Sequence, residues 1–106
     1  MTDMEVLTAA RTLVAKGWTR AAEARTADGS WCDAFASNAT QFCVFGALQR
    51  VCGRVDNRLC AYLRQFLPNE FLWLSDYNDA PTTTQADVLA LFDRAIQEAQ
   101  HDQTAA

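Results

Sequence analysis

The residues that could do chemistry in this chain are concentrated in two short stretches, FCVFGAL at 42–48 and SDYNDAPTTT at 75–84. Cys43 is the one candidate nucleophile with a plausible setting. In the N-terminal turns of a helix the dipole lowers a thiol's pKa and favours the reactive thiolate. A nucleophile also needs a base within hydrogen-bond reach, normally an imidazole. The single histidine, His101, sits in the polar segment HDQTAA, so a Cys43–His101 pair would require that segment to dock. Asp79 is the other residue able to orient or accept a proton beside Cys43. The competing reading is simpler: a free cysteine between Phe42 and Phe45 is a small apolar side chain filling a core. Packing is the expectation.

Asp76, Asn78 and Asp79 crowd the second stretch with oxygen ligands. An EF-hand would continue with further oxygens, a glycine and a closing glutamate, and these are missing. Asn and Asp before a proline make Asx turns without any ligand. Four cysteines, at 32, 43, 52 and 60, include no CxxC pair and no zinc spacing. No metal and no cofactor is therefore expected. Arg50, Arg54, Arg58 and Arg64 could grip a phosphate or an acidic partner through forked hydrogen bonds, or could simply be the solvated faces of helices. Trp18, Trp31 and Tyr77 are large rings near loops, where such rings plug a small core or anchor an interface. With Asp76, Asn78 and Asp79 they form the set expected to meet a partner.

These residues must be held by helices. TDME opens the first, with Thr2 and Glu5 as a capping box, and Val6, Leu7, Ala10, Leu13 and Val14 recur at helical spacing. Gly17 is expected to stop it in a left-handed conformation. Asn38, with Gln41 three residues on, is expected to cap a second helix from Ala39 to about Cys52, which places Cys43 in an N-terminal turn. Apolar residues lie nearly all round that helix, so it is expected at the centre. Gly46 within it signals close approach to a neighbour, and Gly53 ends it. Asp56 or Asn57 opens a third helix, stopped before Pro68. NEFLWLSDYND reads as one helical turn running into a loop. Thr84 and Asp87 cap a last helix whose Val88, Leu89, Phe92, Ala95, Ile96 and Ala99 form one apolar face. Between the first two helices, Asp28-Gly29 marks a turn. A small β-hairpin near residues 23–35 is expected there, with an irregular loop or a further helical turn as the alternatives.

Length and composition bound what such a scaffold can be. The 106 residues correspond to one domain, expected over 1–106 with fraying from about residue 100. Half of the residues are hydrophobic and 21% are charged, an ordinary globular balance. The formal net charge of −4 gives no basic footprint, so nucleic acid is not an expected partner. No segment approaches the roughly 18 apolar residues of a membrane span, and MTDMEV lacks a signal-peptide layout. A cytoplasmic location follows as the expectation, with reduced thiols.

Taken together, GW at 17–18, ADG at 27–29, FCVFGAL, NDAP and TQADVLALFDRAI resemble a family of small uncharacterised bacterial and phage proteins, classed only as a domain of unknown function. The resemblance spans most of the chain and is most specific in FCVFGAL and NDAP…VLALFDRA; residues 54–76 depart from it. It implies a compact cytoplasmic domain of phage or mobile-element origin and carries over no catalytic residue.

The expected fold is mainly α, about four helices around a central apolar helix, with the small hairpin. The expected function is that of a non-enzymatic protein-binding module, as a phage or mobile-element accessory or inhibitor protein. The alternative is a cysteine-dependent enzyme built on Cys43. A protein partner is expected, and self-association into a homo-oligomer is the other way such a surface is used, with FLWL at 71–74 as core or dimer contact.

Overall fold

A computed structural model describes residues 1–54 and 56–105, the last three of these for their backbone alone. The first helix, α1, is Asp3–Lys16. Glu5 N–H donates to Thr2 Oγ1 at 3.2 Å and Thr2 N–H donates to Glu5 Oε1 at 2.9 Å, the reciprocal box expected from the sequence. Val6, Leu7, Ala10 and Val14 form its buried face. Gly17 follows, but not in the left-handed conformation expected of it: its φ of −172° is extended. A side chain is excluded there for another reason, since a Cβ would overlap the carbonyl oxygen of Thr40.

That close approach belongs to a small antiparallel sheet of three two-residue strands, β1 (Ala24–Arg25), β2 (Trp31–Cys32) and β3 (Gln41–Phe42), in the order β2-β1-β3. Ala24 faces Cys32 on one side and Phe42 on the other. β1 and β2 are the expected hairpin. Gly29 turns it at φ +88°, and the Asp28 carboxylate accepts from Ser30 N–H at 2.9 Å and from the Thr26 hydroxyl.

β3 corrects the second helix. The chain from 39 to 42 is not helical and ends in β3, because its backbone groups are taken up sideways. Thr40 N–H donates to Arg25 O at 2.9 Å, Phe42 N–H to Gly17 O at 3.0 Å, and Cys43 N–H to Glu23 O at 3.2 Å. Helix α2 is therefore Val44–Cys52, and Cys43 is its N-cap, not a residue of its second turn. Gly53, left-handed at φ +79°, ends α2 as expected. The close approach signalled by Gly46 is to the strand segment, where a Cβ would overlap the Glu23 carbonyl.

Asp56 caps α3 (Asn57–Arg64), accepting from Arg58 N–H at 2.9 Å and Leu59 N–H at 3.2 Å. Helix α4 is Leu74–Asp79, so Asp76, Tyr77, Asn78 and Asp79 are helical and not part of a loop. Leu74 and Asn78, four apart, are its buried pair. Helix α5, Gln85–Ala105, opens with Asp87 N–H on Thr84 Oγ1 and Thr84 N–H on Asp87 Oδ2, at 3.2 and 2.9 Å. The fraying predicted from about residue 100 falls partly on Ala106 and on the side chains of 103–105, outside the described residues.

The chain is thus mainly helical, with five helices and one small sheet among the described residues. α1 lies against both α2 and α5, and α3 against α5 and α4. Leu7, Val14, Val44, Leu63, Val88 and Phe92 are fully buried between them. A radius of gyration of 13.1 Å matches the value of about 13 Å for a compact chain of this length. Among the described residues no helix is long and apolar enough to cross a membrane.

Candidate functional site

A cleft of about 470 Å³ opens where the segment before β1, the start of α2 and the helix α4 meet. Ala21, Ala22 and Glu23 form one wall, Cys43 and Phe45 the second, and Ser75, Asn78 and Asp79 the third. Two of the residues singled out for chemistry, Cys43 and Asp79, therefore share a cleft although 35 positions separate them in the chain.

Asn78 holds the three walls together. Its Oδ1 accepts from Trp18 Nε1–H at 2.9 Å and from Val44 N–H at 3.1 Å; its Nδ2 donates to Thr19 O and to Asp79 Oδ1, each at 3.0 Å. A carboxamide offers two donors and two acceptor lone pairs, and all four are used. At 1% exposure Asn78 faces the interior rather than a partner. Its neighbour Asp79 is exposed, and its Oδ1 also accepts from Ala21 N–H at 2.9 Å. Ala21 has φ +60°, a left-handed conformation unusual for a residue with a Cβ. Across the cleft, Glu23 Oε1 accepts from Ala34 N–H at 3.0 Å.

Cys43 is a capping residue before it is anything else. Its Sγ accepts from Gly46 N–H at 3.2 Å, closing the first turn of α2. Burial pushes the thiol's pKa up. The Gly46 and Phe45 N–H groups pull the other way, while the Asp79 and Glu23 carboxylates add to the rise. At neutral pH the sulfur therefore carries its proton, the opposite of what the helix dipole alone would give. His101, near the end of α5, is not part of the cleft wall, and the groups beside the thiol that could take a proton are carboxylates.

The remaining candidates are dispersed. Trp18 is half-buried, with the Arg20 guanidinium 4.6 Å from its ring centre. Tyr77 is half-buried and packs edge-on against Phe71, with centroids 5.2 Å apart. Asp76 is exposed, and Trp31 projects from the edge strand β2 with 66% of its surface exposed. The arginines do not converge either. Arg50 Nη1 donates to Ala34 O and Ala36 O at 2.8 Å each, Arg54 lies 3.6 Å from Asp56, Arg58 pairs with Asp3, and Arg64 stands over Trp73 at 5.0 Å. Among the described residues there is no group of three or more His, Cys, Asp or Glu that could hold a metal ion.

Sequence reasoning missed the roles of Glu23, Phe45 and Ser75 as cleft walls and of Phe35 as an exposed apolar residue. Leu72 and Trp73 leave a signal as part of FLWL, expected as core or dimer contact, and the structure exposes both while burying Leu74. Residues 1–98 match a family of unknown function (DUF6197). No curated protein and no solved structure matches the chain.

Proposed function

The chain belongs to DUF6197, a family of unknown function, and we propose from its exposed surface that it is a non-enzymatic protein-binding module. The observation that carries this reading is the exposure of four large apolar side chains, Trp31 at 66%, Phe35 at 53%, Leu72 at 72% and Trp73 at 56%, outside the buried core. They fall in two groups, one at the sheet edge and one at the entry to α4. Trp is the residue type most enriched among the side chains that dominate binding energy. The protonated, cap-engaged thiol supports the same reading by weakening the enzymatic one. In a small cytoplasmic protein of phage or mobile-element origin, this function would take the form of an accessory or inhibitor that covers a partner's surface.

The test places a photo-crosslinking residue at position 31 or 73 and identifies what is captured in an extract of the source cells. The captured protein is then purified and its affinity measured. Trp31→Ala or Trp73→Ala is expected to weaken binding by about 2 kcal/mol, the hot-spot threshold. Equal affinity of both variants and the wild type would overturn the reading. Capture of the chain itself would identify a homo-oligomer as the complex.

The placement of Cys43 and Asp79 in one cleft favours the second reading, a cysteine-dependent enzyme. Rapid alkylation of Cys43 near pH 6 in the native protein, with the other thiols silent, would establish it over the first.

A further inference from the structure

The cleft itself has a chemistry that the exposed aromatic residues do not use. Glu23 and Asp79 both line it, on two of its three walls, and neither is paired with a cation among the described residues. Each carboxylate is nevertheless fixed, Glu23 by Ala34 N–H and Asp79 by Ala21 N–H and the Asn78 amide, with its second oxygen outside these bonds. Fixed carboxylates with no internal counter-charge produce a negative potential that a low-dielectric cleft concentrates. The Cys43 thiol registers that potential, since both carboxylates oppose its ionisation. Between the charges the walls are apolar, formed by Ala21, Ala22 and Phe45. The volume of about 470 Å³ falls in the range of roughly 300–1,000 Å³ typical of small-ligand sites.

We infer that this cleft binds an alkylammonium group, its charged head between Glu23 and Asp79 and its aliphatic stem against Ala21, Ala22 and Phe45. An organic cation fits better than a metal ion, because the described residues offer no cluster of three ligands. The same chemistry is supplied by a free small amine or by the lysine side chain of a peptide. The inference stands independently of the protein-binding proposal, since it uses neither Trp31 nor Trp73.

The experiment is an amide NMR titration with n-butylammonium at pH 7, with n-butanol as the neutral counterpart. Saturable shifts at Ala21, Ala22, Cys43 and Phe45 are expected, with a dissociation constant of about 1–10 mM, and none with n-butanol. Glu23→Gln and Asp79→Asn keep an oxygen for the same N–H donors but lose the charge, and each is expected to weaken binding about tenfold. Ser75→Lys, at an exposed wall position, is expected to abolish binding by supplying a tethered ammonium of its own, and it keeps the test alive if an acidic-site variant unfolds. Linear shifts up to about 50 mM, equal shifts with n-butanol, or unchanged affinity in all three variants would overturn the inference. Tighter binding of Nα-acetyl-lysine methylamide than of butylammonium assigns the cleft to a protein's lysine, and the reverse order assigns it to a free amine. Wild-type affinity in Trp31→Ala and Trp73→Ala keeps this result separate from the fate of the protein-binding reading.

Discussion

Cys43 and Asn78 are both small side chains whose importance lies in the backbone groups they satisfy. Serine is among the preferred N-cap residues and alanine among the poorest. Cys43→Ser is therefore expected to hold the start of α2, whereas Cys43→Ala should cost about 1 kcal/mol, as comparison of chemical denaturation curves would show. Because burial raises the folded thiol's pKa, the unfolded thiol ionises first, at about pH 8.5. Stability from this group is complete below that pH and is lost as the pH rises through the higher folded value. Equal stability at pH 7.5 and pH 9.5 would argue against the burial. Asn78→Ala leaves Trp18 N–H, Val44 N–H and Thr19 O without partners in the interior, at about 1–3 kcal/mol for each group that water does not reach. A fall in the urea midpoint with an unchanged slope is the expected readout.

At the scale of elements, two devices decide how the sheet meets the helices. Alanine is favoured over glycine in a helix by about 1 kcal/mol, so propensity alone would make Gly46→Ala stabilising. The Cβ would overlap the Glu23 carbonyl, backbone that cannot rotate away, so the overlap wins. A net loss of about 1–3 kcal/mol is expected, measured by thermal unfolding. In the β1–β2 turn, hydrogen bonds from the Thr26 hydroxyl and Ser30 N–H lower the Asp28 pKa to about 2. The unfolded value is near 3.9. The turn's contribution is therefore full above about pH 4 and lost as the pH falls through about 2, and a carbon-detected titration of Asp28 with a midpoint near 4 would refute it. The caps at Thr2, Asp56 and Thr84 were legible in the sequence because their signals are local and chemical. The start of α2 was not. Asn38 is a better cap than cysteine by intrinsic preference, and β3 is too short for alternation to reveal it. What moved the boundary is sideways hydrogen bonding from Gly17, Glu23 and Arg25, partners distant in sequence. The cleft was half legible for the same reason. Cys43 and Asp79 stood out as residue types, but Glu23 and Ser75 acquire meaning only from the packing of α4 on α2.

For the molecule as a whole, the exposed apolar side chains and the net charge of −4 act in opposite directions. Mutual repulsion keeps copies apart at low ionic strength, and salt screens it over about 10 Å at 0.1 M. If self-association uses Trp31 or Trp73, sedimentation should show it increasing with salt in the wild type and absent in Trp31→Ala or Trp73→Ala. Surface ion pairs matter much less: Arg11 and Asp93 join α1 to α5 at 2.6 Å, but with both side chains about a third to a half exposed the pair contributes less than about 1 kcal/mol.

The hydrogen bond from Trp18 to Asn78 also gives the protein a built-in optical probe. Of its three indoles, Trp31 and Trp73 face water, and Trp18 alone is tied by its N–H to the residue that joins the cleft walls. With both exposed indoles replaced by phenylalanine, the emission that remains comes from one ring whose immediate neighbours are the Arg20 guanidinium and a buried amide. Its colour and its resistance to a soluble quencher would then report whether the hydrogen-bonded junction of the cleft walls is intact, without any added label.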